Sequence, residues 1–126
     1  MRSKTKEKTV KDWVKDALKP YVDAGEAWVF MPVPYGFGKQ SVDFLVCFRG
    51  WFLAIETKRP KGEHPTGRQV VTMTEIDRAH GLVILARDKK EVDAMARILA
   101  RLPVLVRPWP SPIEELGLQI QKVELG

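Results

Sequence analysis

Three side chains that could act together on a charged substrate lie near the middle of the chain: Asp43, Glu56 and Lys58. Carboxylates are hard oxygen ligands of the kind that Mg²⁺ prefers. A lysine beside such a cation adds a positive charge that orients a water molecule, lowers its pKa or stabilises charge developing on a phosphate. These residue types suit metal-assisted hydrolysis, provided that the fold brings them together.

A predicted β-hairpin brings them together. Residues 42–48 and 51–58 are rich in β-branched and aromatic side chains, which is typical of strands, and Arg49-Gly50 is the predicted turn between them. With a two-residue turn, the continued register places Asp43 opposite Glu56. Directly opposed residues have their Cβ atoms roughly 5 Å apart. The hairpin therefore predicts two carboxylates side by side.

The hairpin face of the two acids also carries Lys58, because side chains alternate along a strand. The other residues of this face are apolar: Leu45, Cys47, Phe52 and Ala54. We therefore expect the charges at the rim of a buried surface. Two carboxylates this close repel each other, and a divalent cation bridging both would compensate. The alternative is an ordinary surface hairpin in which Lys58 neutralises the acids as a salt-bridge cluster.

The elements around the hairpin predict an α/β fold with a mixed central sheet flanked by helices, in the order α-β-β-β-α-β-α-β. The predicted helices are Thr5–Tyr21, Thr66–His80 and Lys89–Arg101. The further predicted strands are Ala27–Val33, Leu82–Ala86 and Pro103–Val106. Pro20 is expected near the end of the first helix and Gly81 as the cap of the second. Leu82–Ala86 suits burial on both faces.

Size and composition limit the remaining possibilities. The 126 residues form one predicted domain, in which residues 107–126 are a proline-punctuated tail that packs on the domain or forms a dimer interface. The net charge of +5 favours acidic partners, nucleic acid first and an anionic membrane surface second. Cys47 is the only cysteine, which excludes an intramolecular disulfide and a multi-cysteine zinc site.

Neither a secretory signal nor an apolar run of membrane-spanning length is visible in the sequence. The expected location is therefore the cytoplasm, of a bacterial or phage-infected cell, without a membrane partner. Three of the four tryptophans, Trp13, Trp28 and Trp51, are expected in the core rather than as platforms for stacking bases.

The hairpin resembles the PD-(D/E)XK nuclease pattern. It has Val42-Asp43 in the first strand and, after twelve residues, Glu56-Thr57-Lys58 in the second. The resemblance is closer to the VRR-NUC branch, through Gly38-Lys39-Gln40-Ser41, Gly50-Trp51-Phe52-Leu53-Ala54-Ile55, Pro65-Thr66-Gly67-Arg68-Gln69 and Ala79-His80-Gly81. It covers residues 36–86. Val42 departs from the pattern, whose name has proline there, at a position that shapes backbone rather than chemistry.

This resemblance implies a restriction-endonuclease-like core and an endonuclease that hydrolyses DNA phosphodiester bonds with Mg²⁺ or Mn²⁺. Asp43 and Glu56 would hold the metal with the carbonyl of Thr57, and Lys58 would assist the attacking water. Stand-alone VRR-NUC proteins of this size look like homodimers that cleave junctions. A homodimer acting on branched DNA or Holliday junctions is therefore expected. The alternative is a non-catalytic nucleic-acid-binding module of the same fold, or a basic structural protein.

Two more polar residues resemble family positions. Glu7 falls on the apolar stripe of the first helix and resembles the helix-borne glutamate of this fold; alternatively, it is a first-turn acid favoured by the helix dipole. Gln69 resembles the family's glutamine at the start of the second helix, where it would hold a water or a phosphate oxygen; alternatively, it bonds to backbone. The residues expected to contact DNA phosphates are Lys39, Arg59, Lys61 and Arg68.

Overall fold

Seven helices and strands follow one another along the described part of the chain. The computed structural model describes residues 7–32, 42–58, 65 and 67–105, without the side chains of Glu7 and Lys8. The elements are α1 (Glu7–Asp23), β1 (Ala27–Phe30), β2 (Phe44–Phe48), β3 (Trp51–Thr57), α2 (Gly67–Arg78), β4 (Leu82–Ala86) and α3 (Lys89–Arg101). The predicted α/β class and the first seven elements of the predicted order are confirmed.

The described strands form one mixed sheet in the order β1-β2-β3-β4. β1, β2 and β3 are antiparallel neighbours, whereas β4 runs parallel to β3. A parallel neighbour requires a crossover connection, and α2 lies within it. This arrangement places the end of β3, where the predicted site lies, between the hairpin partner β2 and the start of the crossover.

One face of the sheet carries the core, under α1 and α3. Alternation along β2 and β3 directs Phe44, Val46, Phe48, Leu53 and Ile55 to this face, and all five are fully buried or nearly so. The helix residues packed against them recur at helical spacing: Val10, Val14, Leu18, Val92, Met95 and Leu99. Each fully buried aliphatic or aromatic side chain contributes about 1.5–3 kcal/mol to folding, so this face holds the domain together.

The opposite face is covered only in part. α2 packs over its β3–β4 half, where a cavity of about 440 Å³ is lined by Phe52, Ile76, Gly81 and their neighbours. On the β1–β2 half, Trp28 is 65% and Phe30 is 46% exposed. The expectation that Trp28 lies in the core is therefore wrong. Alternation directs Ala27 and Val29 of β1 toward α1 and leaves Trp28 on the open side.

The face of Asp43 and Glu56 also differs from its prediction as a buried surface. Ala54 is buried, but Cys47 is exposed and Phe52 is 48% exposed. The core lies on the other side of the hairpin. Glu56 is itself fully buried, and does not sit at a rim.

The chain after α3 does not form the predicted eighth element. Residues Pro103 to Leu105 are not in a strand, and Val106 lies outside the described residues. The segment is joined to the hairpin by two hydrogen bonds instead. The Leu105 amide donates to the Arg49 carbonyl (2.8 Å), and the Trp51 indole donates to the Pro103 carbonyl (2.8 Å). Pro103 has no amide hydrogen for a strand ladder.

β4 is half-exposed rather than buried on both faces, and only Ala86 is buried within it. No strand among the described residues pairs with its outer edge. α1 continues three residues beyond Pro20, to Asp23. β1 ends at Phe30, earlier than predicted. The helix cap after α2 is His80 (φ 71°), not Gly81, whose amide donates to the Ile76 carbonyl at 2.9 Å.

None of the helices in the described residues is long and apolar enough to cross a bilayer. The tail 107–126 lies outside the described part of the chain.

Candidate active site

The hairpin register places the two acids together, as predicted. The turn residues Arg49 (φ 49°) and Gly50 (φ 88°) both have positive φ, which is the conformation of a two-residue type I′ turn. Phe48 pairs with Trp51, and the ladder continues to Phe44 opposite Ile55. Asp43 immediately precedes the last paired residue of β2 and contacts Glu56 directly. The Asp43 amide donates a 3.0 Å hydrogen bond to Glu56 Oε1, which closes this end of the hairpin.

The Asp43 carboxylate is fixed by Thr57. Its Oδ2 accepts hydrogen bonds from the Thr57 amide (2.9 Å) and the Thr57 hydroxyl (2.6 Å). Its Oδ1 lies 3.4 Å from Nζ of Lys11 in α1. The Asp43 side chain keeps 16% exposure. One oxygen is therefore held by the neighbouring strand, and the other lies at the edge of the site beside the Lys11 ammonium.

Glu56 is the most unusual group of the site. Its side chain has 0% exposure, and Oε1 accepts the Asp43 amide. Oε2 is buried and has no hydrogen-bond partner among the described residues. Lys58 Nζ lies 3.3 Å from Oε2 as an ion pair, although it is not aligned as a donor by the geometric criteria of a hydrogen bond. A buried oxygen with a charge nearby and no donor bond is an available ligand position.

Burial raises the pKa of Glu56 to about 7, and the negative charge of Asp43 adds to this rise. The nearby Lys58 ammonium acts in the opposite direction. Both effects on the acid follow from the same physics, since low-dielectric surroundings and a like charge each disfavour the carboxylate. The acid pair is therefore destabilised in the absence of further positive charge.

Each acid has one lysine beside it: Lys58 at Glu56 and Lys11 at Asp43. The sequence predicted the first and missed the second. A usable signal existed, because Lys11 precedes Val14 by three and Leu18 by seven residues and so lies on the buried stripe of α1. Lys58 offsets only part of the effect of burial, because the pKa of Glu56 remains raised.

The other predicted residues divide into two groups. Gln69 is 5% exposed on α2, so it lies on the inward side as expected. Arg68, its neighbour, is exposed at the start of α2. Glu7 begins α1 one turn before Lys11, and its side chain is outside the described residues. The phosphate-contact residues Lys39, Arg59 and Lys61 also lie outside them.

The donor set fits a small divalent cation. Within the described residues, no group of three His, Cys, Asp or Glu side chains that could hold a metal ion is gathered, and the carboxylates present at the site are those of Asp43 and Glu56. Mg²⁺ commonly binds proteins through one or two carboxylates and keeps several waters. The donor-free Glu56 Oε2 and the edge position of Asp43 Oδ1 are compatible with that chemistry.

No protein-family model matches the chain, and no curated protein matches it.

Proposed function

We propose that this chain is a metal-dependent endonuclease that hydrolyses DNA phosphodiester bonds with Asp43, Glu56 and Lys58. The observation that supports this most strongly is Glu56 itself: a fully buried carboxylate, beside a second carboxylate, with one oxygen that no described donor satisfies. Burying a carboxylate costs several kcal/mol unless charge and hydrogen bonds compensate it, and Lys58 compensates only in part, since the pKa of Glu56 stays raised. A cation bound beside the Glu56 carboxylate would therefore stabilise the folded chain.

Asp43 and Glu56 would hold Mg²⁺ or Mn²⁺, with the Thr57 carbonyl as a further ligand. When bound, the metal would polarise a phosphate oxygen and lower the pKa of water. Thr57 keeps the Asp43 carboxylate in place through Oδ2. Glu7, at the start of α1, is proposed as an additional acidic ligand.

Lys58 would assist the attacking water and stabilise negative charge on the phosphate. Its side chain is 13% exposed and its ammonium is 3.3 Å from Glu56, so it is held at the site rather than in solvent. Gln69 would hold a water or a phosphate oxygen from the buried side of α2. Lys39, Arg59, Lys61 and Arg68 would bind the neighbouring phosphates, which gives a salt-dependent affinity.

The proposed fold family is that of restriction endonucleases, in its VRR-NUC branch. The antiparallel hairpin β2–β3, the helix α2 in the crossover and the parallel strand β4 are compatible with such a core. The spacing Asp43, Glu56-Thr57-Lys58 supports the same proposal.

A cleavage assay on DNA with and without metal tests the proposal. Mg²⁺ or Mn²⁺ should support cleavage and EDTA should abolish it. Asp43→Asn and Glu56→Gln should each lose on the order of a hundredfold or more in rate. Asp93→Asn, which changes an exposed carboxylate paired with Lys89 on α3, is the matched control and should leave the rate unchanged. Binding of DNA without turnover in any metal would instead favour the non-catalytic module.

The proposed active form is a homodimer that prefers branched DNA. One site of this kind cuts one strand, and two sites related by a two-fold axis suit a junction with paired strands. The tail would contribute apolar residues to such an interface: Ile113, Leu116, Leu118, Ile120 and Val123. Light scattering with and without four-way DNA tests the assembly. A monomer in both conditions that nicks linear duplex as fast as a junction would contradict the dimer and leave the nuclease proposal intact.

A further inference from the structure

The open half of the site-bearing face carries a pair of stacked aromatic rings. Trp28 and Phe30 are 65% and 46% exposed, their ring centroids are 6.0 Å apart, and their planes differ by 7°. Ring centroids 4.5–7 Å apart are typical of favourable aromatic pairs. Two nearly parallel, solvent-facing rings are an arrangement to which a third flat ring can add.

The register relates these rings to the acids. Trp28 pairs with Cys47, which pairs with Phe52. The next row on the same face is Phe30, Leu45 and Ala54. The next residue of β3 on this face is Glu56, and Asp43 lies beside it, just beyond the last paired residue of β2. Successive rows are two residues apart along the strands, roughly 7 Å. The aromatic pair therefore begins one row away from the acids and extends toward the hairpin turn.

We infer that Trp28 and Phe30 bind unpaired nucleotide bases of the substrate strand by stacking. This inference rests on the nuclease proposal, not on the preference for paired junctions, and specifies the substrate as nucleic acid with unpaired bases near the cleaved bond. The positively charged side chains lie where the phosphates of such a strand would bind. Lys58 and the exposed Arg68 lie at the acid end of this face, where phosphates would lie, and the whole chain carries +5. An aromatic surface beside a cationic end is typical of single-strand binding sites.

The area of the exposed rings favours bases over a second protein copy. A fully covered aromatic side chain buries 150–250 Å², so the exposed parts of Trp28, Phe30 and Phe52 together amount to roughly 350 Å². A stable protein interface needs about 800 Å² from each partner. The rings suffice for one or two stacked bases and, alone, for less than half of such an interface.

The test is oligonucleotide binding in EDTA, where the proposed cleavage cannot occur. The probes are fluorescein-labelled oligothymidylate of about twelve nucleotides, within the range of known single-strand sites, and a blunt duplex of equal length. Trp28→Leu keeps an apolar side chain but removes the ring, whereas Trp28→Tyr keeps a flat ring. Ile98→Ala, at an exposed position of α3 on the other side of the sheet, is the control.

Trp28→Leu should weaken binding of the single strand by on the order of tenfold, Trp28→Tyr by much less, and Ile98→Ala not at all. Duplex binding should change less than twofold in every variant. In the wild-type chain, oligothymidylate should quench tryptophan emission, and Trp28→Phe should bind the oligonucleotide with most of that quenching lost. This second readout does not depend on the leucine variant.

Unchanged single-strand affinity in Trp28→Leu would overturn the inference. So would a loss of affinity that accompanies a fall in molecular mass by light scattering, because that result assigns the rings to a contact between copies. The two proposals fail separately. A chain that shows Trp28-dependent binding but no cleavage in Mg²⁺ contradicts the nuclease proposal alone, and a metal-dependent nuclease indifferent to Trp28 contradicts the stacking alone.

Discussion

Thr57 donates two hydrogen bonds to one oxygen of Asp43, from its amide at 2.9 Å and from its hydroxyl at 2.6 Å. The amide bond is independent of the side chain, so the hydroxyl is the part that a mutation can remove. Because both bonds end on Oδ2, they fix the rotation of the carboxylate and leave Oδ1 toward the edge of the site. Thr57, between Glu56 and Lys58, therefore acts as a positioning residue for the Asp43 carboxylate.

Thr57→Val should weaken metal binding while preserving the fold. Valine has nearly the shape of threonine and lacks the hydroxyl, so Asp43 loses one of its two donors. Removing a hydrogen-bond partner of a metal ligand commonly lowers metal affinity by about 10–100-fold. Titration calorimetry with Mn²⁺ measures this change, and Thr57→Ser should recover most of the affinity. Equal affinity in Thr57→Val and the wild-type chain would mean that the amide alone positions Asp43.

The stability of the metal-free chain should fall as the pH rises from about 4.5 to about 7. Burial, with Asp43, raises the pKa of Glu56 in the folded state to about 7, above the value of 4.5 for the free side chain. The folded state therefore binds more protons than the unfolded state between these values, and the free energy of unfolding decreases with pH across that interval. The loss is roughly 3 kcal/mol in total, since one pKa unit corresponds to about 1.4 kcal/mol.

Glu56→Gln is the control for this pH dependence. Glutamine has the same shape and does not ionise, so its unfolding free energy in EDTA should be higher than that of the wild-type chain at pH 8 and similar at pH 5. Urea denaturation at several pH values measures both. Mg²⁺ added at pH 8 should stabilise the wild-type chain more than the variant, because it binds the ionised acid. A parallel decline of both chains between pH 5 and 7 would assign the effect to other groups.

Lys11 should compete with the metal at Asp43. Its ammonium lies 3.4 Å from Oδ1, the oxygen that Thr57 leaves available, and its side chain is 32% exposed. Lys11→Met keeps the aliphatic part of the side chain and removes the charge. We expect Mn²⁺ to bind Lys11→Met several-fold more tightly, because a like charge a few ångströms away opposes cation binding. Lys15→Met, one turn further along α1 at an exposed position, is the control. Weaker Mn²⁺ binding in Lys11→Met alone would show that Lys11 supports the site.

The site could be predicted from the sequence because it depends on local rules. A two-residue turn and the strand pairing that follows from it suffice to bring Asp43 beside Glu56 at the open end of the hairpin. The burial of the surrounding face could not be predicted in the same way, since it depends on which half of the sheet α2 covers. Trp28 shows the difference: its strand was predicted correctly, but its exposure is set by the distant packing of α2 over β3 and β4. Lys11 was missed because long-range contacts between α1 and the hairpin end leave only a weak signal in helical spacing.

The last strand was predicted wrongly for a related reason. Residues 103–105 are apolar, but β4 receives no strand from them, because their hydrogen bonds go to Arg49 and Trp51 at the hairpin turn. Local apolar character favours a strand, whereas the end of α3 places this segment beside the turn that joins the two central strands, β2 and β3. Competing partners of this kind cannot be distinguished from sequence pattern alone.

Arg49 should be important for stability and not for the chemistry of the site. Its guanidinium donates to Glu26 Oε1 (2.6 Å) and to the Leu102 carbonyl (2.8 Å), and it lies 5.3 Å from the ring centroids of Tyr21 and Phe48. These contacts join the hairpin turn to the β1 side and to the end of α3. Against them stands the positive φ of 49°, which is unfavourable for a residue with a side chain by about 1 kcal/mol.

Arg49→Gly separates the two effects. It relieves the backbone conformation but removes every side-chain contact, and hydrogen bonds to charged groups contribute about 1.5–3 kcal/mol, more than the relief. We therefore expect Arg49→Gly to lower the free energy of unfolding by about 1–2 kcal/mol, and Arg49→Ala, which keeps the strained backbone, to lower it by about 1 kcal/mol more. Urea denaturation gives both values. Metal affinity per folded molecule should stay at the wild-type level, since Arg49 lies at the opposite end of the hairpin from Asp43 and Glu56. An Arg49→Gly chain as stable as the wild type would mean that the contacts of Arg49 contribute no more than the relief of its backbone conformation, about 1 kcal/mol.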